Sequence, residues 1–123
     1  MAILSRFIMS MTDFSAKGGA KQVCLSVIYP GEKKGPHLHF IRTGFFTCIK
    51  GNIKIVLKTV DGYKEFYSGE NHDFLSIEVP GGIPALLINT DRTEAFVLNM
   101  PNPAWTPDIN DEHSADFSDY KAD

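Results

Sequence analysis

From Gln22 to Asn99 the chain meets a turn signal before any helix can form. Pro30-Gly31, Gly35-Pro36, Gly51-Asn52, Asp61-Gly62 and Pro80-Gly81-Gly82 break it into short runs rich in β-branched and aromatic residues. None of these runs has the apolar spacing of an amphipathic helix, and they read as strands bounded by turns. The expected strands are Ala2 to Met9, Gln22 to Tyr29, a segment through His37 and His39, Phe45 to Ile49, Ile53 to Val60, Tyr63 to Tyr67, Phe74 to Val79, Ala85 to Ile88 and Ala95 to Asn99. Asp13 to Lys21 reads as a loop. On the second strand Val23, Leu25, Val27 and Tyr29 share one face. Asp61-Gly62 predicts a tight hairpin between Val60 and Tyr63. Short strands at this spacing predict an all-β sandwich or barrel.

The length of 123 residues predicts one domain, large enough to bury a core. A net charge of −3 offers no general attraction to nucleic acid or to an anionic membrane, and no apolar run is long enough to span a bilayer. Neither is an expected partner. The opening MAILSRFIMSM lacks the layout of a signal peptide and reads as mature protein. Cys24 and Cys48 lie in apolar strand patterns, as buried free thiols do, and nothing demands a disulfide. A reducing cytoplasm is the expected setting. Composition changes at Pro101. The barrel is assigned to residues 1–100, and 101–123 to an acidic, proline-rich extension with three prolines. Trp105, Ile109, Phe117 and Tyr120 give that extension apolar anchors, so it is expected to pack on the barrel or on a partner subunit. The alternative is a solvated tail.

One stretch carries chemistry. His37 and His39 stand one residue apart, after the turn Gly31, Lys33, Lys34, Gly35, Pro36. On a strand, positions i and i+2 point to the same side, so both imidazoles are expected to enter one space. A single inward histidine is commonly a satisfied core residue. Two at this spacing favour function. The second fixed point is Pro80-Gly81-Gly82 followed by Asn89, where the glycines serve the geometry of a turn.

These residues resemble the cupins, a family of small jelly-roll barrels. Their first motif is G-x5-H-x-H-x3,4-E-x6-G, and Gly31, His37, His39 and Gly51 fit it. Their second is P-x-G-x2-H-x3-N, fitted by Pro80, Gly82 and Asn89. The resemblance implies a single-domain double-stranded β-helix. Metal-binding cupins use three histidines and a glutamate. Here the glutamate position falls on Gly44 (Thr43 under the shorter spacing) and the third histidine on Ala85, neither of which supplies the family ligand. Neither His72 nor His113 sits at a ligand position, so no metal and no cofactor is expected.

Within the cupins, Lys34-Gly35-Pro36-His37-Leu38-His39 resembles the R-G-x-H-A-H segment of the dTDP-4-keto-6-deoxyhexose 3,4-ketoisomerases. The dTDP-4-dehydrorhamnose 3,5-epimerases are more distant relatives. The resemblance implies an isomerase of deoxysugar and polysaccharide biosynthesis, acting on a nucleotide sugar by taking a proton α to its ketone. Neutral imidazole suits that step near pH 7. His37 and His39 are the expected acid and base, in either order. Arg42, Lys34 or Tyr29 would stabilise the enediolate, Tyr29 being otherwise a core residue. Lys33, Lys34 and Arg42 would hold the diphosphate, Arg42 by its bidentate fork. Phe40, Phe45, Phe46, Phe66, Phe74 and Phe96 are expected in the core. A homodimer is expected, with Ala2 to Met9 as the strand to exchange or add. The other readings are a non-catalytic carbohydrate- or small-molecule-binding cupin and a weakly metal-dependent enzyme that recruits His72, His113 or a tail carboxylate.

Overall fold

The computed structural model describes residues 21–121. The expected strand Ala2 to Met9 lies outside the described residues, as does the loop from Asp13 up to Ala20. The elements run β1 (Cys24–Ile28), β2 (Lys33–Leu38), β3 (Gly44–Lys50), β4 (Asn52–Thr59), β5 (Gly62–Gly69), a 3-10 turn (Glu70–His72), β6 (Ser76–Val79), β7 (Ala85–Ile88), β8 (Ala95–Asn99) and β9 (His113–Ser114). They build two antiparallel sheets, ordered β1-β8-β3-β6 and β5-β4-β7-β2-β9.

Alternation along the strands makes the core. Ile53, Ile55 and Leu57 of β4 and Phe66 of β5 meet Ile28, Cys48, Ile77 and Val97 from the other sheet. Burial of each such side chain contributes about 1.5–3 kcal/mol. The opposite face of the second sheet is apolar too. Val56, Leu86 and Ile88 form a second cluster, covered by Tyr63, Phe117 and Tyr120. All four residues of β7, Ala-Leu-Leu-Ile, are therefore buried. A continuous apolar strand is what a sheet covered on both faces requires.

The covering residues arrive on the segment after Pro101. Lys58 Nζ donates to the Asp116 carbonyl at 2.7 Å, and the Tyr63 hydroxyl hydrogen-bonds Asp119. Nearby, β9 adds to the edge of β2, with Ser114 opposite His37 and His113 opposite Leu38.

Several local expectations shift. The hairpin closes one residue early, with Thr59 paired to Gly62 and Val60-Asp61 in the turn. The Thr59 hydroxyl explains this, since it accepts from the Asp61 N–H and donates to the Gly62 carbonyl. Cys48 is buried but Cys24 is exposed, and both thiols are free. Phe40 and Phe74 are exposed and leave the core to Phe45 and Phe66. Along β1 and its flanking residues, Val23, Leu25, Val27 and Tyr29 are all exposed, so Tyr29 is not a core residue. Among the described residues no helix is long and apolar enough to cross a membrane.

Asn89 ties β1, β7 and the turn into β8 together. It is fully buried. Its amide donates to the carbonyls of Ile28 at 2.7 Å and Thr93 at 2.9 Å, and its oxygen accepts the Asp91 N–H at 2.8 Å. Asn89→Ala leaves these three backbone groups without their partner. It is expected to lower stability by about 2–4 kcal/mol, read as a reduced urea midpoint.

Candidate active site

A cavity of about 240 Å³ is lined by residues of both sheets and of the C-terminal segment. His37 and His39 line it together, their ring centroids 6.5 Å apart. Strand alternation alone does not account for this. The register of β2 against β7 shifts between Lys34 and His37, and His39 stands just past the strand end. The Pro80–Gly82 turn holds His39 in place, because the Gly82 N–H donates to the His39 carbonyl at 2.7 Å. Gly81 is required beside it, since a Cβ there would sit 2.4 Å from the Phe40 carbonyl oxygen. The two sequence motifs are thus bound to each other through backbone.

Each expected site residue has a definite place. Lys34 and Arg42 line the cavity with the histidines. The Lys34 ammonium hydrogen-bonds Ser26 on β1. Arg42 is mostly buried, with Nε 3.5 Å from Asp111. Tyr29 and Lys33 do not line the cavity. Tyr29 is exposed at the β1–β2 turn, where its N–H donates to Glu32 at 2.9 Å. Lys33 is exposed at the start of β2.

The C-terminal segment adds residues that the motif reading did not include. Glu112 Oε1 lies 3.1 Å from His37 Nδ1. A carboxylate accepts and does not donate, so its charge favours the proton on Nδ1, the tautomer that leaves the free electron pair of neutral His37 on Nε2. Trp105, the chain's one tryptophan, is half-exposed and lines the cavity. Asp111 accepts the N–H groups of Phe40, Ile41 and Arg42, each at 2.9 Å. Burial opposes its charge, but these three donors and the Arg42 guanidinium prevail and hold its carboxyl down at about 2. The available signals were the apolar anchors in an otherwise acidic tail and the double-sided hydrophobicity of β4 and β7.

The ring of Phe46 occupies the place of the missing glutamate. A Cβ on Gly44 would fall 2.7 Å from it. With Ala85 at the third histidine position, the residues do not fit the four-ligand set. His72 stacks on Tyr67 and His113 lies edge-on to Phe40; neither lines the cavity. Among the described residues no three His, Cys, Asp or Glu are grouped to hold a metal ion.

Two facing antiparallel sheets with the paired motifs at one end define a cupin-type jelly roll. Solved structures bear out that fold. The chain is similar to the capsular polysaccharide assembling protein CapF of Staphylococcus aureus, with TM-score 0.67 and 24% identity over 76% of this chain and 27% of that one. It is similar to dTDP-4-dehydrorhamnose 3,5-epimerase of Sulfolobus tokodaii, with TM-score 0.73 and 16% identity over 93% of this chain and 69% of that one. It is also similar to the sugar 3,4-ketoisomerase QdtA of Thermoanaerobacterium thermosaccharolyticum in complex with TDP, with TM-score 0.62 and 16% identity over 72% and 63%. The chain spans about a quarter of the length of CapF. At these identities the likeness establishes fold. No protein-family model and no curated protein matches the chain.

His39 differs from its neighbour in its surroundings. Burial first, and the Arg42 cation second, pull its imidazole below the ordinary 6.5, against the weaker opposing pull of Asp111 and Glu112. It is therefore neutral at pH 7. An NMR titration of the imidazole protons is expected to place His39 below 6.5. Arg42→Gln removes a charge that disfavours the imidazolium, so it is expected to move this value upward.

Proposed function

We propose that the protein is a sugar-nucleotide isomerase that takes a proton α to the ketone of a dTDP-4-keto-6-deoxyhexose. The observation that carries this reading is the pair of imidazoles in one cavity, His39 neutral and His37 backed by a carboxylate. The fold it shares with a 3,5-epimerase and a 3,4-ketoisomerase supports the same class.

His39 accepts the C3 proton and the C3–H electron pair becomes the C3–C4 double bond. Negative charge collects on the C4 oxygen, where Arg42 lies ready to meet it. Arg42 takes this role in preference to Tyr29, because Arg42 lines the cavity and Tyr29 does not. Transfer of the C3 hydroxyl proton to the C4 oxygen, with return of a proton to C4, yields the 3-keto isomer. Return to the opposite side of C3 yields the epimer. His37, oriented by Glu112, is the second acid/base in either case. Lys34 is the assigned diphosphate ligand because it lines the cavity, with Lys33 outside the wall as a more distant positive charge. Trp105, on the cavity wall, is the aromatic assigned to stack on a ring of the substrate. No cofactor is consumed.

A non-catalytic carbohydrate-binding role is the second reading. It is favoured by the loss of polar side chains at Gly44 and Ala85, which leaves Phe46, Val79, Ile83 and Leu87 as apolar wall. Proton NMR with dTDP-4-keto-6-deoxyglucose in deuterated buffer separates the two. The isomerase incorporates deuterium, at C4 of a 3-keto product or at C3 of an epimer, and forms a new keto-sugar, and His39→Ala slows this by about 10²–10⁴-fold. Saturable quenching of Trp105 without deuterium incorporation would leave the binding protein.

The working form on this reading is a homodimer in the cytoplasm, serving deoxysugar and polysaccharide synthesis. The exposed row Val23, Leu25, Val27 and Tyr29 runs along β1 and its two flanking residues, and β1 has β8 as its one strand neighbour among the described residues. Light scattering is expected to give twice the 13.7 kDa chain mass. A mass equal to one chain would remove the dimer from the proposal.

A further inference from the structure

Asp111 touches neither histidine in the contacts above, yet it stands between the two segments that carry the acid–base pair. Its side chain is 4% exposed. One oxygen accepts the Phe40 and Ile41 N–H groups, and the other accepts the Arg42 N–H and faces Arg42 Nε at 3.5 Å. Those three successive amides follow directly on His39. On the other side, the residue next to Asp111 is Glu112, whose carboxylate reaches His37 Nδ1. One carboxylate therefore joins the loop that bears His39 and Arg42 to the strap that bears Glu112.

We propose that Asp111 is a positioning residue for the cavity, holding Glu112 on His37 Nδ1 and the Arg42 guanidinium at the wall. Its reach is set by covalent geometry. Consecutive Cα atoms are about 3.8 Å apart, so displacing Asp111 from the amide array displaces Glu112 with it. The Ser114–His37 and His113–Leu38 pairs hold the backbone of this strap against β2, but they follow Glu112; before it the strap is tied at the Thr43–Asn102 bridge and by the Trp105 N–H on Gln22. The anchors further along, Phe117 and Tyr120 against Tyr63, lie on the outer face of the sheet. A merely structural Asp111 would contribute stability as those anchors do. A positioning Asp111 sets the state of His37 as well.

The catalytic part of this proposal rests on the isomerase reading, whereas its positional part does not. The experiment compares Asp111→Asn with Phe117→Ala by three measurements on the full chain. The first is the melting temperature. The second is the tautomer of His37, read from long-range proton–nitrogen correlations at about pH 8.5, above the usual histidine range. The third is turnover of the keto-sugar. Both variants are expected to melt lower. Only Asp111→Asn is expected to shift the His37 proton from Nδ1 towards Nε2, the favoured site in unconstrained imidazole. Where turnover exists, kcat is expected to fall about 10–100-fold in Asp111→Asn and to hold in Phe117→Ala.

An Asp111→Asn protein that melts lower but keeps the Nδ1–H signature would overturn the proposal and leave a structural staple. A tautomer shift with no turnover in the parent protein would uphold the positioning and sink the isomerase reading instead. If Asp111→Asn does not fold, Asp111→Ser, which keeps one oxygen acceptor for the amides, takes its place in the same comparison. Failure of both to fold would overturn the proposal in favour of a folding role.

Discussion

The outer face of the second sheet has to be covered, and much of the cavity follows from how that is done. Val56, Leu86 and Ile88 place an apolar patch on the side away from the core, and Phe117 and Tyr120 close it together with Tyr63. The hydrophobic effect draws the C-terminal segment across the sheet irrespective of chemistry at the cavity. Its polar groups then find partners around the patch. Lys54 is buried beneath Tyr120, where its ammonium meets Glu65 at 3.3 Å and lies 5.8 Å from the Tyr120 ring centroid. Burial pulls the Lys54 ammonium towards neutrality, but the Tyr120 hydroxyl and Glu65 outweigh it and hold it charged. A segment secured this way has a defined end, and Asp111 ties its earlier part to the loop after His39.

Charge at the cavity runs against the charge of the chain. The protein is net −3, yet Lys34 and Arg42 stand on the cavity wall beside the histidines. Two acidic residues balance them without filling the space. Asp111 is engaged with backbone amides and Arg42, and Glu112 with His37. His39 is left between partial burial and a guanidinium, which keeps its imidazole neutral. One histidine with a carboxylate behind it and one beside a cation are different reagents, although one residue separates them in the chain. Acid and base roles can be divided only where such environments differ.

Much of the fold was legible because strands and turns leave local marks. The apolar runs at β3, β4, β7 and β8, the Asp61-Gly62 signal and the motif glycines each report on their own neighbourhood. Errors arose where period-two alternation gives faces without saying which face is inside. Along β1 and its flanking residues the bulky set Val23, Leu25, Val27 and Tyr29 is exposed, while Ser26 bonds Lys34 and Cys24 lines the cavity. The same ambiguity put Cys24 and Tyr29 in the expected core. Phe40 and Phe74 misled for another reason, since both sit at chain reversals where hydrophobicity does not secure burial.

By itself the sequence determined β1 to β8, the paired motifs, the one-residue spacing of His37 and His39, and the loss of polar side chains at Gly44 and Ala85. All of these depend on spacing along the chain or on residue identity. Only the tertiary structure decided which groups surround the histidines. Glu112 stands 75 positions after His37, and no local pattern links the two. Their contact requires the sheet to form and the strap to be tied to the loop after His39. Tertiary packing likewise placed Arg42, and not Tyr29, on the cavity wall. Contacts between distant segments are fixed by packing, because each must satisfy every neighbour at once.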